Sequence, residues 1–230
     1  MVRSLLDGSR AVLWDLDGVL ADTSELHYES WREVLPHFGL KMTWEQHMAT
    51  FGRNNAAILA YLTREARDPA WVEEVSQAKE KAFRRLARKR AKALPGAKAW
   101  LERLQAWGIR QAVASSAPLE NVDALVEALG MRPYLDALVS GERLPAKPDP
   151  AIYLEAARRL GIDPRHCLVV EDAIVGVEGA RRAGMRSLAV TTTHDAKALS
   201  GADLIVGSLE DVAEDRMRKL LGLLPASEGS

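Results

Sequence analysis

One stretch near the start of the chain decides the fold: residues 11–18 read Ala-Val-Leu-Trp-Asp-Leu-Asp-Gly. Four consecutive apolar residues that stop abruptly at a polar one are typical of a strand buried on both faces, and the glycine marks the loop that follows. The strand therefore ends at Asp15, and two carboxylates stand at its carboxyl end. In an open parallel sheet, ligands bind in the crevice at that edge.

The rest of the chain changes its pattern twice. Between Thr23 and Lys92 strand patterns are absent, and amphipathic helical patterns follow one another, among them one over 55–67. After Pro95-Gly96, apolar strands alternate with helical stretches, the last over 209–221, as in a parallel sheet covered by helices on both faces. We predict an α/β protein with a Rossmann-like parallel sheet core, formed by residues 1–21 and 93–230, and an inserted α-helical domain at residues 22–92.

Composition limits the possible partners. Of the 230 residues 47% are hydrophobic, and 31 basic residues face 32 acidic ones, so the formal net charge is -1. The hydrophobic fraction is too high for a disordered chain. The near-neutral charge argues against a nucleic-acid partner, because nucleic-acid-binding domains are usually strongly basic. Residues 79–92 carry eight basic side chains against one acidic side chain. We interpret them as the solvated face of a helix that turns Phe83, Leu86 and Ala87 inward, rather than as a nucleic-acid patch.

The sequence shows no membrane or export segment. Residues 1–10 do not read as a signal peptide, and no run of about 18 apolar residues is free of charge. We expect a soluble, cytoplasmic monomer with no membrane partner.

Polar residues suited to phosphate chemistry stand where the predicted strands end. Asp15 and Asp17 follow the first strand, Ser115 and Ser116 follow the second, Lys147 precedes a helix, and Glu171 and Asp172 follow a later strand. Clustered carboxylates repel one another unless a cation lies between them, and hard oxygen ligands suit Mg²⁺. A hydroxyl and an ammonium suit a phosphate oxyanion. A carboxylate beside both can attack phosphorus, and a second can transfer a proton.

Each of these residues also has an ordinary structural interpretation. Paired serines can cap the following helix, and acids at a helix start favour its dipole. We prefer the functional interpretation because all the sets occur together, in this order, at one edge of the sheet. The pattern indicates a phosphoryl-transfer site.

The chain resembles the haloacid dehalogenase superfamily, in the branch that holds β-phosphoglucomutases and small sugar-phosphate phosphatases. The resemblance runs from about residue 11 to 221. It rests on four ordered motifs and on residues of the insert: Asp15-x-Asp17-Gly18, Ser115, Lys147 in Lys-Pro-x-Pro, Glu171-Asp172, then Asp22-Thr23, His27, Trp31 and Gly52-Arg53-Asn54.

This resemblance implies a role for each motif residue. Asp15 would be the nucleophile that becomes aspartyl phosphate, and Asp17 the general acid and base. Ser115 and Lys147, with Ser116 beside them, would hold the phosphate. Mg²⁺ would be held by Asp15, the backbone carbonyl of Asp17 and Asp172, with Glu171 supporting it or coordinating through water.

The insert resembles the helical cap of this branch, which closes over the crevice and contacts the substrate. The candidate substrate-binding residues are His27, Arg53, Asn54 and Lys79.

Three functions from different classes remain open. The first is a Mg²⁺-dependent phosphatase acting through aspartyl phosphate on a small phosphorylated sugar or related metabolite, and the second is a β-phosphoglucomutase-type phosphomutase with the same intermediate. The third, a catalytically silent binding module, conflicts with the complete motif set. Ser115-Ser116-Ala117-Pro118 lacks the basic residue that mutases carry soon after the motif serine, so we favour the phosphatase.

Overall fold

The computed structural model of the protein describes residues 9–223, so residues 1–8 and 224–230 of the predicted core lie outside the described part. The strands are β1 Ala11–Trp14, β2 Ala21–Asp22, β3 Lys92–Ala93, β4 Arg110–Ser115, β5 Ala137–Ser140, β6 Cys167–Glu171, β7 Arg186–Val190 and β8 Leu204–Val206. The helices are α1 Ser24–Val34, α2 Trp44–Thr50, α3 Asn55–Thr63, α4 Pro69–Arg90, α5 Ala97–Ala106, α6 Leu119–Ala128, α7 Ala151–Leu160, α8 Ile174–Arg182 and α9 Glu214–Leu220.

The main sheet is parallel and has the order β5-β4-β1-β6-β7-β8. The first strand, β1, lies between β4 and β6, and its four residues are fully buried. A strand with neighbours on both edges and helices on both faces has no surface to solvate, which explains its unbroken apolar sequence. The predicted α/β fold with a parallel sheet is confirmed.

Helix α7 covers one face of this sheet. Its side chains Tyr153, Ala156, Ala157 and Leu160 join one core cluster with residues of β1, β4, β5 and β6, among them Leu13, Ala114, Val139 and Val169. Fully buried Leu13, Val139 and Val169 each stabilise the fold by about 1.5–3 kcal/mol. Helix α7 is therefore anchored to the sheet by its buried side chains.

The chain forms two compact units. The described residues up to Asp22 and from Ala93 onward make the sheet unit, and Thr23–Lys92 make the helical unit. The two crossing segments lie side by side at the sheet unit, where the Leu94 N–H donates to the Leu20 carbonyl at 3.0 Å.

The helical unit has its own apolar core. Residues of α1, α3 and α4 meet in it, among them Trp31, Leu59 and Val75. The basic part of α4 turns Phe83 and Ala87 inward, as predicted, while Leu86 is only half-buried.

Acidic partners on α1 pair with this basic face. Arg85 and Arg90 form ion pairs with Glu33 and Glu29 of α1. Part of the positive charge of residues 79–92 is thus neutralised within the unit, in agreement with a solvated helix face.

Two helices end or begin elsewhere than the sequence pattern predicts. The helix predicted over 55–67 ends at Thr63, because Arg64 adopts a left-handed conformation with φ 59° that stops the helical hydrogen bonds. The single helix predicted over 209–221 is a 3-10 turn at Leu209–Asp211 followed by α9. The predicted helix is interrupted for a local reason: Ser208 and Asp211 form a reciprocal capping box, and Val212 has an extended backbone.

Within the described residues, no helix is both long and apolar enough to span a membrane.

One buried polar side chain ties three segments of the sheet unit together. Gln111 of β4 is fully buried, and its Oε1 accepts a hydrogen bond from Trp14 Nε1 at 3.1 Å. Its Nε2 donates to the carbonyls of Leu101, at 2.8 Å, and Tyr134, at 3.2 Å.

We predict that Gln111→Leu lowers the free energy of unfolding by about 2–4 kcal/mol, because a buried indole N–H loses its acceptor and the carbonyls of Leu101 and Tyr134 each lose a donor. Chemical denaturation followed by circular dichroism measures this change. Gln105→Leu is the control, since exposed Gln105 donates only to the Pro133 carbonyl; it is expected to change the free energy of unfolding by about 0.5 kcal/mol or less. Equal effects of the two substitutions would contradict the prediction.

Candidate active site

The carboxyl edge of the sheet at β1 brings together residues from neighbouring strands. Asp15 follows β1 directly, and its N–H donates to the Val170 carbonyl at 2.9 Å, so the β1–β6 ladder continues to this residue. Ser115 ends β4 on one side of it, and Glu171 ends β6 on the other. The chain runs from β1 to β4 and β5 and later returns to β6 on the opposite side. This edge is therefore a topological switch point, where α/β sheets bind ligands.

Lys147 brings a positive charge to this edge from the loop before α7. Its Nζ lies 2.6 Å from Asp15 Oδ1 and 2.5 Å from Glu171 Oε1, and all three side chains are buried. Burial alone would lower the pKa of Lys147, but the charges of Asp15 and Glu171 raise it well above its ordinary value. The ammonium therefore stays protonated and can neutralise an anion.

Three buried carboxylates surround that ammonium. Asp15, Glu171 and Asp172 each place an oxygen within 4.8 Å of the others, a grouping that could hold a metal ion. Burial, and then repulsion from Glu171 and Asp172, raise the pKa of Asp15 well above its ordinary range although Lys147 opposes this. Burial, and then the charge of Glu171, raise the pKa of Asp172 to about 7. One ammonium cannot balance three carboxylates, and hard oxygen donors with excess negative charge suit a divalent cation.

Asp172 is held by the loop that follows β7. The Thr193 hydroxyl donates to Asp172 Oδ2, and Thr192 Oγ1 lies 3.4 Å from the same oxygen. The carboxylate also lies against Gly18: a Cβ at that position would stand 2.0 Å from Asp172 Oδ2, and Gly18 has φ +78°. Only glycine satisfies both the backbone conformation and the close approach.

Asp17 lies beside this cluster in the sequence but is not a member of the three-carboxylate group. It is half-buried and forms an isolated backbone bridge with Ala21. The predicted contact of Asp17 with a metal ion is made by its backbone carbonyl. The three-carboxylate group consists of side chains, so it does not test this contact, which stays a prediction.

The two serines after β4 differ in environment. Ser115 is buried and its Oγ accepts a hydrogen bond from the Ala117 N–H at 3.1 Å, while Ser116 is exposed. Neither residue is the N-cap of α6, a position that Pro118 occupies. The interpretation of the serines as a helix cap is therefore wrong.

The predicted substrate-binding residues lie in the helical unit in two groups. His27 and Lys79 are together: Lys79 Nζ is 2.8 Å from His27 Nδ1 and 3.0 Å from Glu80 Oε1, and the lysine is buried. Arg53 and Asn54 are exposed, immediately before α3.

Each group has an internal structural role as well. The His27 ring stacks on Phe83 with 4.0 Å between ring centroids, and Asn54 is the N-cap of α3, accepting the Ala57 N–H at 2.9 Å. Lys79 is thus held by partners inside its own unit.

Three site contacts were not foreseen from the sequence. Tyr153 donates its hydroxyl to Glu171 Oε1 at 2.7 Å, Thr193 donates to Asp172, and Gly176 makes room for the Glu171 carboxylate. The sequence pattern of α7 predicts Tyr153 to be a core residue on its apolar face. Thr193 follows β7 and belongs to no recognisable motif. The position of Thr193 at the carboxyl end of a strand is the signal that could have found it.

The geometry defines a class of protein: an α/β protein with a parallel sheet, whose buried carboxylates and lysine meet at the switch point. The sequence pattern of the haloacid dehalogenase-like hydrolases matches residues 9–184, and the chain belongs to that family. The resemblance seen in the four motifs is confirmed.

Named relatives make the similarity more specific. The chain is 32% identical over 202 residues to the phosphorylated carbohydrates phosphatase of Thermotoga maritima, covering 85% of this chain and 92% of that protein. It is 31% identical over 185 residues to the fructose-1-phosphate phosphatase YqaB of Escherichia coli, covering 78% and 95%. The prediction of an enzyme, a phosphoric monoester hydrolase, is confirmed by this family and these phosphatases.

A larger relative and a solved structure extend the comparison. The chain is 35% identical over 195 residues to SUPPRESSOR OF QUENCHING 1, a chloroplastic protein of Arabidopsis thaliana, but spans only 18% of its length. The crystal structure of CbbY from Rhodobacter sphaeroides in complex with phosphate is similar with a TM-score of 0.78 and 27% identity, covering 88% of this chain and 96% of that one.

Gly176 offers a direct test of the site geometry. A Cβ at this helical position would lie 2.0 Å from Glu171 Cδ, and Glu171 is fully buried. We predict that Gly176→Ala displaces the carboxylate and lowers kcat/KM for an aryl phosphate by about tenfold or more.

Gly201→Ala is the matched control, because its Cβ would meet nothing closer than 3.5 Å. It is expected to keep kcat/KM within about twofold. Normal activity of Gly176→Ala would mean that the position of Glu171 does not matter for catalysis.

Proposed function

We propose that this hydrolase is a Mg²⁺-dependent phosphatase that releases phosphate from a small phosphorylated sugar through an aspartyl phosphate on Asp15. The observation that carries the proposal is the buried Asp15 carboxylate at the switch point, which contacts the Lys147 ammonium and lies within 4.8 Å of the Glu171 and Asp172 carboxylates. The Thermotoga and Escherichia relatives are phosphatases of phosphorylated carbohydrates and of fructose 1-phosphate, which supports the choice of substrate class.

Asp15 performs the first step. An oxygen of its carboxylate attacks phosphorus, the bond to the sugar oxygen breaks, and the phosphoryl group passes to Asp15. Two anions must approach each other in this step, and the Lys147 ammonium at 2.6 Å from Asp15 lowers their repulsion. Lys147 also holds the phosphate by a charge-assisted hydrogen bond.

Asp17 moves the protons. It gives a proton to the departing sugar oxygen, which leaves as an alcohol. It then takes a proton from the water whose oxygen bonds to phosphorus, while the bond between phosphorus and the Asp15 oxygen breaks, so that phosphate leaves and the Asp15 carboxylate is restored. Its half-buried position two residues after Asp15 supports access to both the sugar and water.

The Ser115 hydroxyl holds the phosphate. Its oxygen already accepts the Ala117 N–H, which leaves its hydrogen to donate to a phosphate oxygen. Ser116, exposed beside it, is proposed to contribute a further contact.

Mg²⁺ fits the donor set, which offers hard oxygens and excess negative charge. Asp15, the backbone carbonyl of Asp17 and Asp172 would hold it, with Glu171 supporting the arrangement. When bound, the ion neutralises the carboxylates and stabilises the negative charge that develops on the phosphoryl oxygens.

The helical unit is proposed to read the substrate. Arg53 and Asn54 are exposed and can donate hydrogen bonds to a polyhydroxyl or anionic group. His27 is half-buried and is proposed to contact the substrate, with the buried Lys79 ammonium 2.8 Å from its Nδ1 acting together with it. The monomeric state, the cytoplasmic location and the absence of a nucleic-acid partner stay predictions.

We predict that Asp15→Asn lowers turnover of every substrate by about 1000-fold or more, because an amide is a poor nucleophile toward phosphorus. The assay incubates each protein with Mg²⁺ and a panel of sugar phosphates and follows free phosphate by phosphorus NMR. Asp195→Asn is the control: this exposed side chain accepts the Ala198 N–H, and an amide oxygen can do the same.

Two outcomes would contradict the proposal. Substantial phosphate release by Asp15→Asn would remove Asp15 as the nucleophile. Interconversion of a sugar 1-phosphate and 6-phosphate without free phosphate would identify a phosphomutase instead.

A further inference from the structure

The Glu171 carboxylate receives a complete set of hydrogen bonds from the protein. Its Oε1 accepts from Lys147 Nζ at 2.5 Å and from the Tyr153 hydroxyl at 2.7 Å. Its Oε2 accepts from the backbone N–H groups of Asp172 at 3.0 Å and Ala173 at 3.2 Å. A carboxylate has about four acceptor positions, so these four donors occupy its capacity. In this arrangement Glu171 binds protein donors rather than a metal ion directly.

Of the two side-chain donors, Lys147 and Tyr153, only Tyr153 has no role in the proposed chemistry. It lies on α7 and is fully buried in the core cluster that covers the sheet. Its hydroxyl has a single hydrogen, and the 2.7 Å contact with Glu171 is shorter than the 3.3 Å distance to the Gly176 carbonyl.

The same tyrosine also contacts the phosphate-binding lysine. Lys147 Nζ lies 5.3 Å from the centroid of the Tyr153 ring, within the range of a cation–π interaction. Tyr153 thus contacts Lys147 with its ring and the carboxylate that orients Lys147 with its hydroxyl. Two of the three ammonium hydrogens of Lys147 are donated to Asp15 and Glu171. These two hydrogen bonds fix the direction of the third N–H bond.

We infer that Tyr153 is a positioning residue: through Glu171 it fixes the direction of the Lys147 ammonium for phosphate binding. Without the hydroxyl, Glu171 Oε1 keeps one donor instead of two, and the carboxylate can rotate and carry Lys147 with it. The loss concerns phosphate and not metal, because Glu171 does not need to ligate the ion. This inference rests on the proposed function.

Tyr153→Phe tests the inference, with Tyr134→Phe as the control. Tyr134 also donates its hydroxyl to a carboxylate, that of Glu102, but at an exposed position. The probes are inorganic phosphate, as inhibitor of aryl phosphate hydrolysis in excess Mg²⁺, and Mg²⁺ alone in a calorimetric titration. For Tyr153→Phe we expect the inhibition constant of phosphate to rise about tenfold while the dissociation constant of Mg²⁺ changes less than about twofold. The control is expected to change neither.

A double-mutant cycle with Glu171→Gln shows whether Tyr153 acts through Glu171. Glu171→Gln is expected to weaken phosphate binding by itself, and adding Tyr153→Phe to it is expected to change phosphate affinity less than about twofold. The single Glu171→Gln variant keeps the test decisive if Tyr153→Phe does not fold.

Several outcomes would overturn the inference. They are an unchanged phosphate affinity in Tyr153→Phe together with a lower melting temperature, an equal loss of Mg²⁺ affinity, additive effects in the cycle, or an unaffected phosphate affinity in Glu171→Gln. Failure of the unaltered protein to bind phosphate at all would overturn the proposed function along with it. The two failures are therefore distinguishable.

Discussion

The structure depends on one electrostatic constraint: a single buried ammonium, Lys147, among three buried carboxylates. Lys147 contacts Asp15 and Glu171 directly, and Asp172 completes the group. Buried charges are costly unless they are paired, and here the negative ones are in excess. Burial, and then repulsion from neighbouring carboxylates, raises the pKa of Asp15 and of Asp172. The three carboxylates could hold a metal ion, so the charge imbalance that costs stability is also the basis of the proposed chemistry.

The backbone holds these charges in place through positions that admit no side chain. Gly18 lies against the Asp172 carboxylate and Gly176 against the Glu171 carboxylate, and a Cβ at either would stand 2.0 Å from an atom of that group. Both acids come from the end of β6, next to Asp15 on β1, and the order of the strands brings them together. The donors that orient them, Tyr153 and Thr193, come from α7 and the loop after β7. Strand ends and the loops beside them thus supply the charges, and α7 and the loop after β7 supply the side-chain supports.

The sequence was sufficient for the sheet and for the charged residues, but not for their supports. The run Ala11–Trp14 predicts β1 because a strand buried on both faces must be apolar throughout, and Asp15 stands out where that run stops. Tyr153 could not be found in this way, because a tyrosine on the apolar face of α7 has the pattern of a core residue and only the fold shows what its hydroxyl meets. The prediction of one helix over 209–221 was wrong for a local reason. The capping box between Ser208 and Asp211 forms a short 3-10 turn, and the extended Val212 separates it from α9. The burial of Lys79 depends on Glu80 and His27, a contact that spacing alone does not reveal.

The most direct measurement of the central constraint is the melting temperature with and without Mg²⁺, for the unaltered protein and for Asp172→Asn. Asparagine keeps an oxygen that can accept the Thr193 hydroxyl, so the substitution removes mainly one negative charge. If the carboxylates carry excess charge that a cation neutralises, Mg²⁺ raises the melting temperature of the unaltered protein by about 2–4 °C or more. Asp172→Asn then melts at least as high as the unaltered protein in the absence of metal and gains little from Mg²⁺. A metal-free Asp172→Asn that melts lower, with the response to Mg²⁺ intact, would contradict this account.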